Sequence, residues 1–150
     1  MKICYAASSG GHYAQILQLR PIMEKCDGFI VTEKTETYQD NGERTYFLKQ
    51  TNRKEWKCLF YLLYNSFYSL CILCRERPDY IITTGVLAII PLCLLGKLFG
   101  IKLIYIESFA KVHSPTMTGK FLYKFADYFF VQWESMKEFY PKAIYKGGLY

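Results

Sequence analysis

Histidine is scarce in this 150-residue chain: His12 and His113 are the only two, and they stand far apart. No metal-binding set can be read from so few. The one close cysteine pair, Cys71-x-x-Cys74, has no second pair or histidine nearby to complete a zinc site. Neither common phosphate signature is present, since there is no P-loop ending in Gly-Lys-Ser/Thr and no Gly-x-Gly-x-x-Gly fingerprint. No nucleophile elbow surrounds Ser108, and no serine–histidine–acid order supports a hydrolytic triad. Blocks of like charge are missing as well. Lys and Arg are dispersed, which excludes a nucleic-acid-binding tail. The uncharged stretch 59–74 falls short of the ~20 residues a bilayer span needs. No cleavable leader precedes the first apolar run, so a reducing, cytosolic setting is expected. Most of the cysteines lie inside apolar runs, where they act as small hydrophobes.

What is present is aromatic and basic. Aromatic residues make up 18% of the chain, with 14 Tyr and 11 Phe. That exceeds what a small soluble core requires, so part of it is expected at an interface with lipid or protein, or in self-association when a partner is absent. The formal charge of +6 favours an anionic membrane surface or phosphorylated substrates. The length suits a single domain, 1–150.

Apolar runs alternate with helical patterns. Strands are expected at 1–7, 29–32, 45–48, 80–83, 101–106, 128–131 and 143–145. Helices are expected at 12–25, kinked or shortened by Pro21, and at 53–77, 86–99, 116–126 and 136–140. Gly119 weakens the fourth of these, and Gly100 caps the third. A polar loop is expected over 33–44. The alternation predicts an α/β fold: a Rossmann-like parallel sheet with helices on both faces. The helix at 53–77 is read as a core helix packed on the sheet. A face resting on the membrane, with basic ends, is the alternative.

In such sheets ligands sit at the carboxyl ends of the strands, and the unusual polar clusters fall there. Ser9-Gly10-Gly11-His12 follows the first strand. Two glycines let the backbone turn tightly, and the helix that follows offers unpaired N–H groups to an anion such as phosphate. Thr84 and Gly85 follow the fourth strand and could hold a phosphate or sugar. Their alternative is ordinary turn chemistry. Glu107 ends the fifth strand, where it fits either a general base for a hydroxyl or a carboxylate capping the next turn. Lys111 and His113 lie on the loop beyond, either neutralising a diphosphate or simply solvated.

Several segments follow one another in a recognisable order. They are Ser9-Gly10-Gly11-His12, Thr83-Thr84-Gly85, the run 105–112, Thr118-Gly119-Lys120, Ala126-Asp127, Val131-Gln132-Trp133 and Tyr140-Pro141-Lys142-Ala143. Together they resemble the bacterial capsule and exopolysaccharide proteins of the PssD type. These are related to the membrane-recruiting subunit of the eukaryotic two-subunit transferase that adds the second GlcNAc to dolichol-diphosphate-GlcNAc. More distantly, the glycine turn is similar to that of MurG. The resemblance implies the N-terminal, acceptor-binding half of a GT-B glycosyltransferase. A separate partner subunit would bind the UDP-sugar, and the acceptor would be a polyprenyl-diphosphate-linked sugar at the inner face of the membrane. It implies that Ser9, Gly10, Gly11, His12, Thr84, Gly85, Lys111 and His113 hold the acceptor diphosphate. His12 or Glu107 would assist deprotonation of the attacking hydroxyl. No metal is required, because helix dipoles can stabilise the leaving diphosphate, and no cofactor or nucleic acid is expected. The eukaryotic members usually begin with a transmembrane helix, and this sequence begins with a strand. Membrane contact is therefore expected from the apolar helices at 60–73 and 86–99, making the protein peripheral. Two other classes stay open: a scaffold that only tethers and activates a transferase, and a stand-alone nucleotide-binding domain.

Overall fold

The computed structural model describes residues 1–34 and 42–150. The middle of the loop expected at 33–44 lies outside these. Its ends differ from expectation: Glu33 completes a strand, and the Arg44 carbonyl accepts the Ile30 N–H at 2.8 Å.

The strands are β1 (Lys2–Ala7), β2 (Asp27–Glu33), β3 (Thr45–Leu48), β4 (Tyr80–Gly85), β5 (Lys102–Ile106), β6 (Tyr128–Val131) and β7 (Ile144–Tyr145). They form one seven-stranded sheet in the order β3-β2-β1-β4-β5-β6-β7. Every pairing is parallel. β1, β2 and β4 are buried along nearly their whole length because both faces are covered. On one face lie Cys4, Phe29, Val31, Ile81 and Leu103, and on the other Ile3, Tyr5, Ile30, Ile82 and Ile106.

The helix expected at 12–25 is two pieces, α1 (Gly11–Leu17) and α2 (Arg20–Met23). Pro21 stands in the first turn of α2, where its missing N–H costs nothing. Pro91 does the same for α4 (Ile90–Leu98), which a 3-10 turn, Leu87–Ile89, precedes. α5 (Met117–Leu122) is shorter than expected and is capped by Thr116, whose Oγ1 accepts the Gly119 N–H. A 3-10 turn at Glu134–Glu138 stands near the place of the helix expected at 136–140.

α3 (Cys58–Glu76) departs from expectation in its orientation. Its buried residues are Asn65, Ser69, Ile72, Leu73 and Glu76. Leu59, Phe60, Leu63 and Phe67 are each more than 60% exposed. The reason is polar. Asn65 exchanges two hydrogen bonds with the backbone of Lys49, at 2.9 and 2.8 Å, and so pins α3 to the end of β3. Glu76 accepts from Lys2, Arg44 and Tyr46 at the opposite end of the sheet. These satisfied polar groups turn inward, and the apolar stripe is left outside. α3 is thus a sheet-packed helix along one side only, and the reading of it as a plain core helix is corrected.

Candidate functional site

The strand order reverses between β1 and β4, which opens a crevice at their carboxyl ends. Two glycine turns form its floor. Gly10 has φ 85° and ψ −139°, open to glycine and strained for other residues. No side chain caps the start of α1. Gly85 has φ 90°, and a Cβ there would meet Tyr105 Oη at 2.5 Å. Val86 follows at φ 152° and ψ 156°, a region a β-branched residue rarely enters and one that clusters at functional turns.

The two turns are joined. Thr84 Oγ1 donates to the His12 carbonyl at 3.2 Å, and Thr83 Oγ1 accepts the Gly85 N–H at 3.0 Å. The hydrogen bond from Thr84 brings His12, and with it the turn at Gly10 and Gly11, beside Thr84 and Gly85. Burial lowers the pKa of His12 from the ordinary 6.5, against the opposing pull of the nearby Glu107 charge and the Thr84 backbone. Its Nδ1 is buried without a hydrogen-bond partner. Burial thus favours the neutral ring near pH 7.

Glu107 stands differently from the catalytic reading. It is fully buried. One carboxylate oxygen accepts from the Ser108 N–H and Thr116 Oγ1, each at 2.9 Å. The other accepts from Tyr140 Oη at 2.7 Å and the Thr116 N–H at 3.2 Å. Burial, together with the hydrogen bond to Glu107, pushes the Tyr140 hydroxyl far above its ordinary pKa, so it stays a donor. Both oxygens serve the protein itself. The geometry makes Glu107 the carboxylate that fixes the start of α5, the capping alternative, rather than a base open to the crevice. Gly119 permits this: a Cβ there would collide with Glu107 and lie 2.7 Å from both Thr116 Oγ1 and Tyr140 Oη.

The loop after β5 is held in place but leaves its basic side chains unengaged. Trp133 Nε1 donates to the Phe109 carbonyl at 2.7 Å, and the Lys111 N–H to the Ser108 carbonyl at 3.0 Å. Lys111 is half-buried and His113 exposed. Neither side chain makes a hydrogen bond or ion pair among the described residues, and the structure does not tie them to the glycine turn.

A buried amide pair escaped the sequence reading. Gln132 Nε2 donates to Gln15 Oε1 at 3.1 Å and to the Glu107 carbonyl at 2.9 Å, and its own oxygen accepts the Leu149 N–H. It links α1, the end of β5 and the terminal segment. The available signal was Gln15 at an inward position of the stripe containing Ile16 and Leu19. Among the described residues no group of three or more His, Cys, Asp or Glu is placed to hold a metal.

A parallel sheet of this order, with glycine turns converging on its switch point, defines a Rossmann-like domain of the kind found in GT-B glycosyltransferases. Solved structures agree. Acinetobacter baumannii MurG matches with a TM-score of 0.72 at 17% identity, over 87% of this chain and 40% of that one. A UDP-GlcNAc 2-epimerase from Neisseria meningitidis matches with a TM-score of 0.73 at 9% identity, over 99% of this chain and 47% of that one. The family "Oligosaccharide biosynthesis protein Alg14 like" matches residues 34–149, and the chain belongs to it. The UDP-N-acetylglucosamine transferase subunit ALG14 of Rattus norvegicus is 33% identical over 125 residues, which cover 79% of this chain and 56% of the rat protein. The Homo sapiens subunit of that name is 27% identical, over 99% of this chain and 83% of its own length.

Proposed function

We propose that this chain is the acceptor-binding, membrane-recruiting subunit of a two-component glycosyltransferase. It would act on a polyprenyl-diphosphate-linked sugar in the biosynthesis of a capsular or exopolysaccharide. The observation that carries this reading is the Alg14-like family match across 34–149, because the curated relatives are named as transferase subunits.

The mechanism follows from the crevice. The acceptor diphosphate would lie against Ser9, Gly10 and Gly11, with Thr84 and Gly85 beside it, and Lys111 and His113, unengaged on the loop after β5, would have to move toward it to neutralise its charge. His12, neutral and with one ring nitrogen unpaired, accepts the proton as the acceptor hydroxyl attacks the anomeric carbon. Glu107 acts by holding Thr116 and α5 in place. The UDP-sugar is brought by the partner subunit. Membrane attachment is peripheral and uses the outer stripe of α3, the described helix long and apolar enough to cross a bilayer by length and composition. Because one side of it packs on the sheet, it lies in the interface rather than spanning.

A second reading, a tether without catalytic residues, draws support from the full engagement of Glu107. One assay bears on both. This chain and its partner are purified separately, then mixed with UDP-GlcNAc and a lipid-diphosphate-linked sugar on vesicles. Product is expected only with both subunits. Robust transfer by this chain alone would overturn the two-subunit account.

A further inference from the structure

α1 carries His12 but has little of its own to hold it in place. It has seven residues, and no side chain caps its start. A helix that short is marginal by itself and takes its pose from its contacts. Ile16 is fully buried on the sheet, but an apolar contact is non-directional and sets depth rather than rotation. Two hydrogen bonds from distant parts of the chain supply the direction. Thr84 Oγ1, near the end of β4, donates to the His12 carbonyl at 3.2 Å. Gln132 Nε2, just after β6, donates to Gln15 Oε1 at 3.1 Å.

The amide pair is both costly and complete. Gln15 and Gln132 are 5% and 4% exposed, and burying an amide is unfavourable unless it is bonded. Gln132 leaves nothing unmade. Its two Nε2 protons go to Gln15 and to the Glu107 carbonyl, and its oxygen accepts the Leu149 N–H at 2.9 Å. One side chain thus ties α1 to the end of β5 and to the segment 146–149. Residues three apart on a helix are neighbours on its surface. Fixing Gln15 therefore fixes the direction in which His12 leaves the helix. An apolar pair of the same volume would fill that space and leave the rotation free.

We propose that Gln132, acting through Gln15, is the positioning residue that holds the His12 turn at the crevice. The shared amide makes Leu149 part of the same arrangement, since displacing its N–H leaves the Gln132 oxygen unpaired. The effect on transfer rests on the reading of His12 as the base. The positioning itself does not.

The test uses the two histidines as reporters. His12 and His113 are the only ones, so NMR titration of the purified chain follows two imidazoles, assigned with His113→Gln. Burial outweighs the pull of the nearby Glu107 charge, so wild-type His12 is expected to titrate below the ordinary 6.5. Gln15→Met and Gln132→Met keep the volume and remove the bond. Each should move the His12 midpoint up toward 6.5, as the turn loosens and the ring meets water, and leave that of His113 unchanged. The double variant should show no more than the larger single effect, because the two side chains act as one pair. In the two-subunit assay each variant should lower kcat about tenfold and leave acceptor KM within about twofold. Melting curves establish that the variants are folded. Gln15→Met leaves the Gln132 bonds to Glu107 and Leu149 intact and keeps the test open should Gln132→Met unfold. An unchanged His12 titration in folded Gln15→Met overturns the proposal. So does an equal shift of His113, or additive effects in the double variant. A shifted His12 midpoint with undiminished transfer upholds the positioning and removes His12 from the chemistry. Absence of transfer in the wild type counts against the subunit reading alone, and the titration still decides the positioning.

Discussion

His12 and Glu107 show how two residues at neighbouring strand ends take different work from their surroundings. Burial keeps the imidazole neutral and leaves one nitrogen unpaired, whereas the carboxylate is enclosed by donors. If His12 is the base, His12→Ala should lower kcat about a hundredfold or more with little change in acceptor KM. Its lowered pKa sets the sign of the pH profile. The active form is the neutral ring, so kcat/KM should rise with pH, reach its midpoint below the ordinary 6.5 and stay level through neutrality. A flat acid limb in the wild type would remove His12 from the chemistry. Gly119 tests the Glu107 cluster. Gly119→Ala forces a methyl group among Glu107, Thr116 and Tyr140 and should cost ~2 kcal/mol, read as a lower urea midpoint. Wild-type stability in that variant would show that the cluster relaxes freely.

At the scale of elements, α3 carries the clearest signal. Phe60, Leu63, Tyr64 and Phe67 recur at helical spacing on its exposed side, with Lys54 and Lys57 before its first turn and Arg75 and Arg77 at its end. Apolar side chains between basic ends suit an anionic lipid surface. The double substitution Phe60→Ser and Phe67→Ser should weaken binding to vesicles containing phosphatidylglycerol at least about tenfold without lowering Tm, because neither ring is buried. Retention of vesicle binding would move the contact elsewhere. That α3 is helical was legible from its pattern. Which side faces inward was not, because an apolar stripe ordinarily packs on the core. The pairing of Asn65 with the backbone of Lys49, distant along the chain, reversed that rule.

For the molecule as a whole, the two ends of the sheet are specialised. The carboxyl ends hold the glycine turns and, among the described residues, the unpaired Nδ1 of His12 and hydroxyls of Thr32 and Thr51. The amino ends are closed by an ionic cluster in which the buried Glu76 accepts from Tyr46, Lys2 and Arg44. Burial alone would raise the Glu76 pKa, but those hydrogen bonds and charges outweigh it and hold the carboxyl below the usual carboxylate range. Since the folded pKa lies below the unfolded one, the stabilisation is complete above the unfolded value near 4.5 and fades as pH falls past it. Glu76→Gln should therefore destabilise the protein by ~3 kcal/mol at pH 7, and by clearly less at pH 3. An equal loss at both pH values would show that the cluster contributes packing rather than charge.

The order of apolar runs and glycine turns was enough to determine a parallel α/β sheet and to name the turns at Gly10 and Gly85. Strand periodicity and glycine conformation are local properties that short stretches of chain carry by themselves. Tertiary structure decided what those stretches do together: that Glu107 is spent on Thr116 and Tyr140, that Gln15 and Gln132 meet, and that α3 turns its aromatic side outward. Each depends on which partners arrive from far along the chain to complete a hydrogen bond, and no local pattern encodes that.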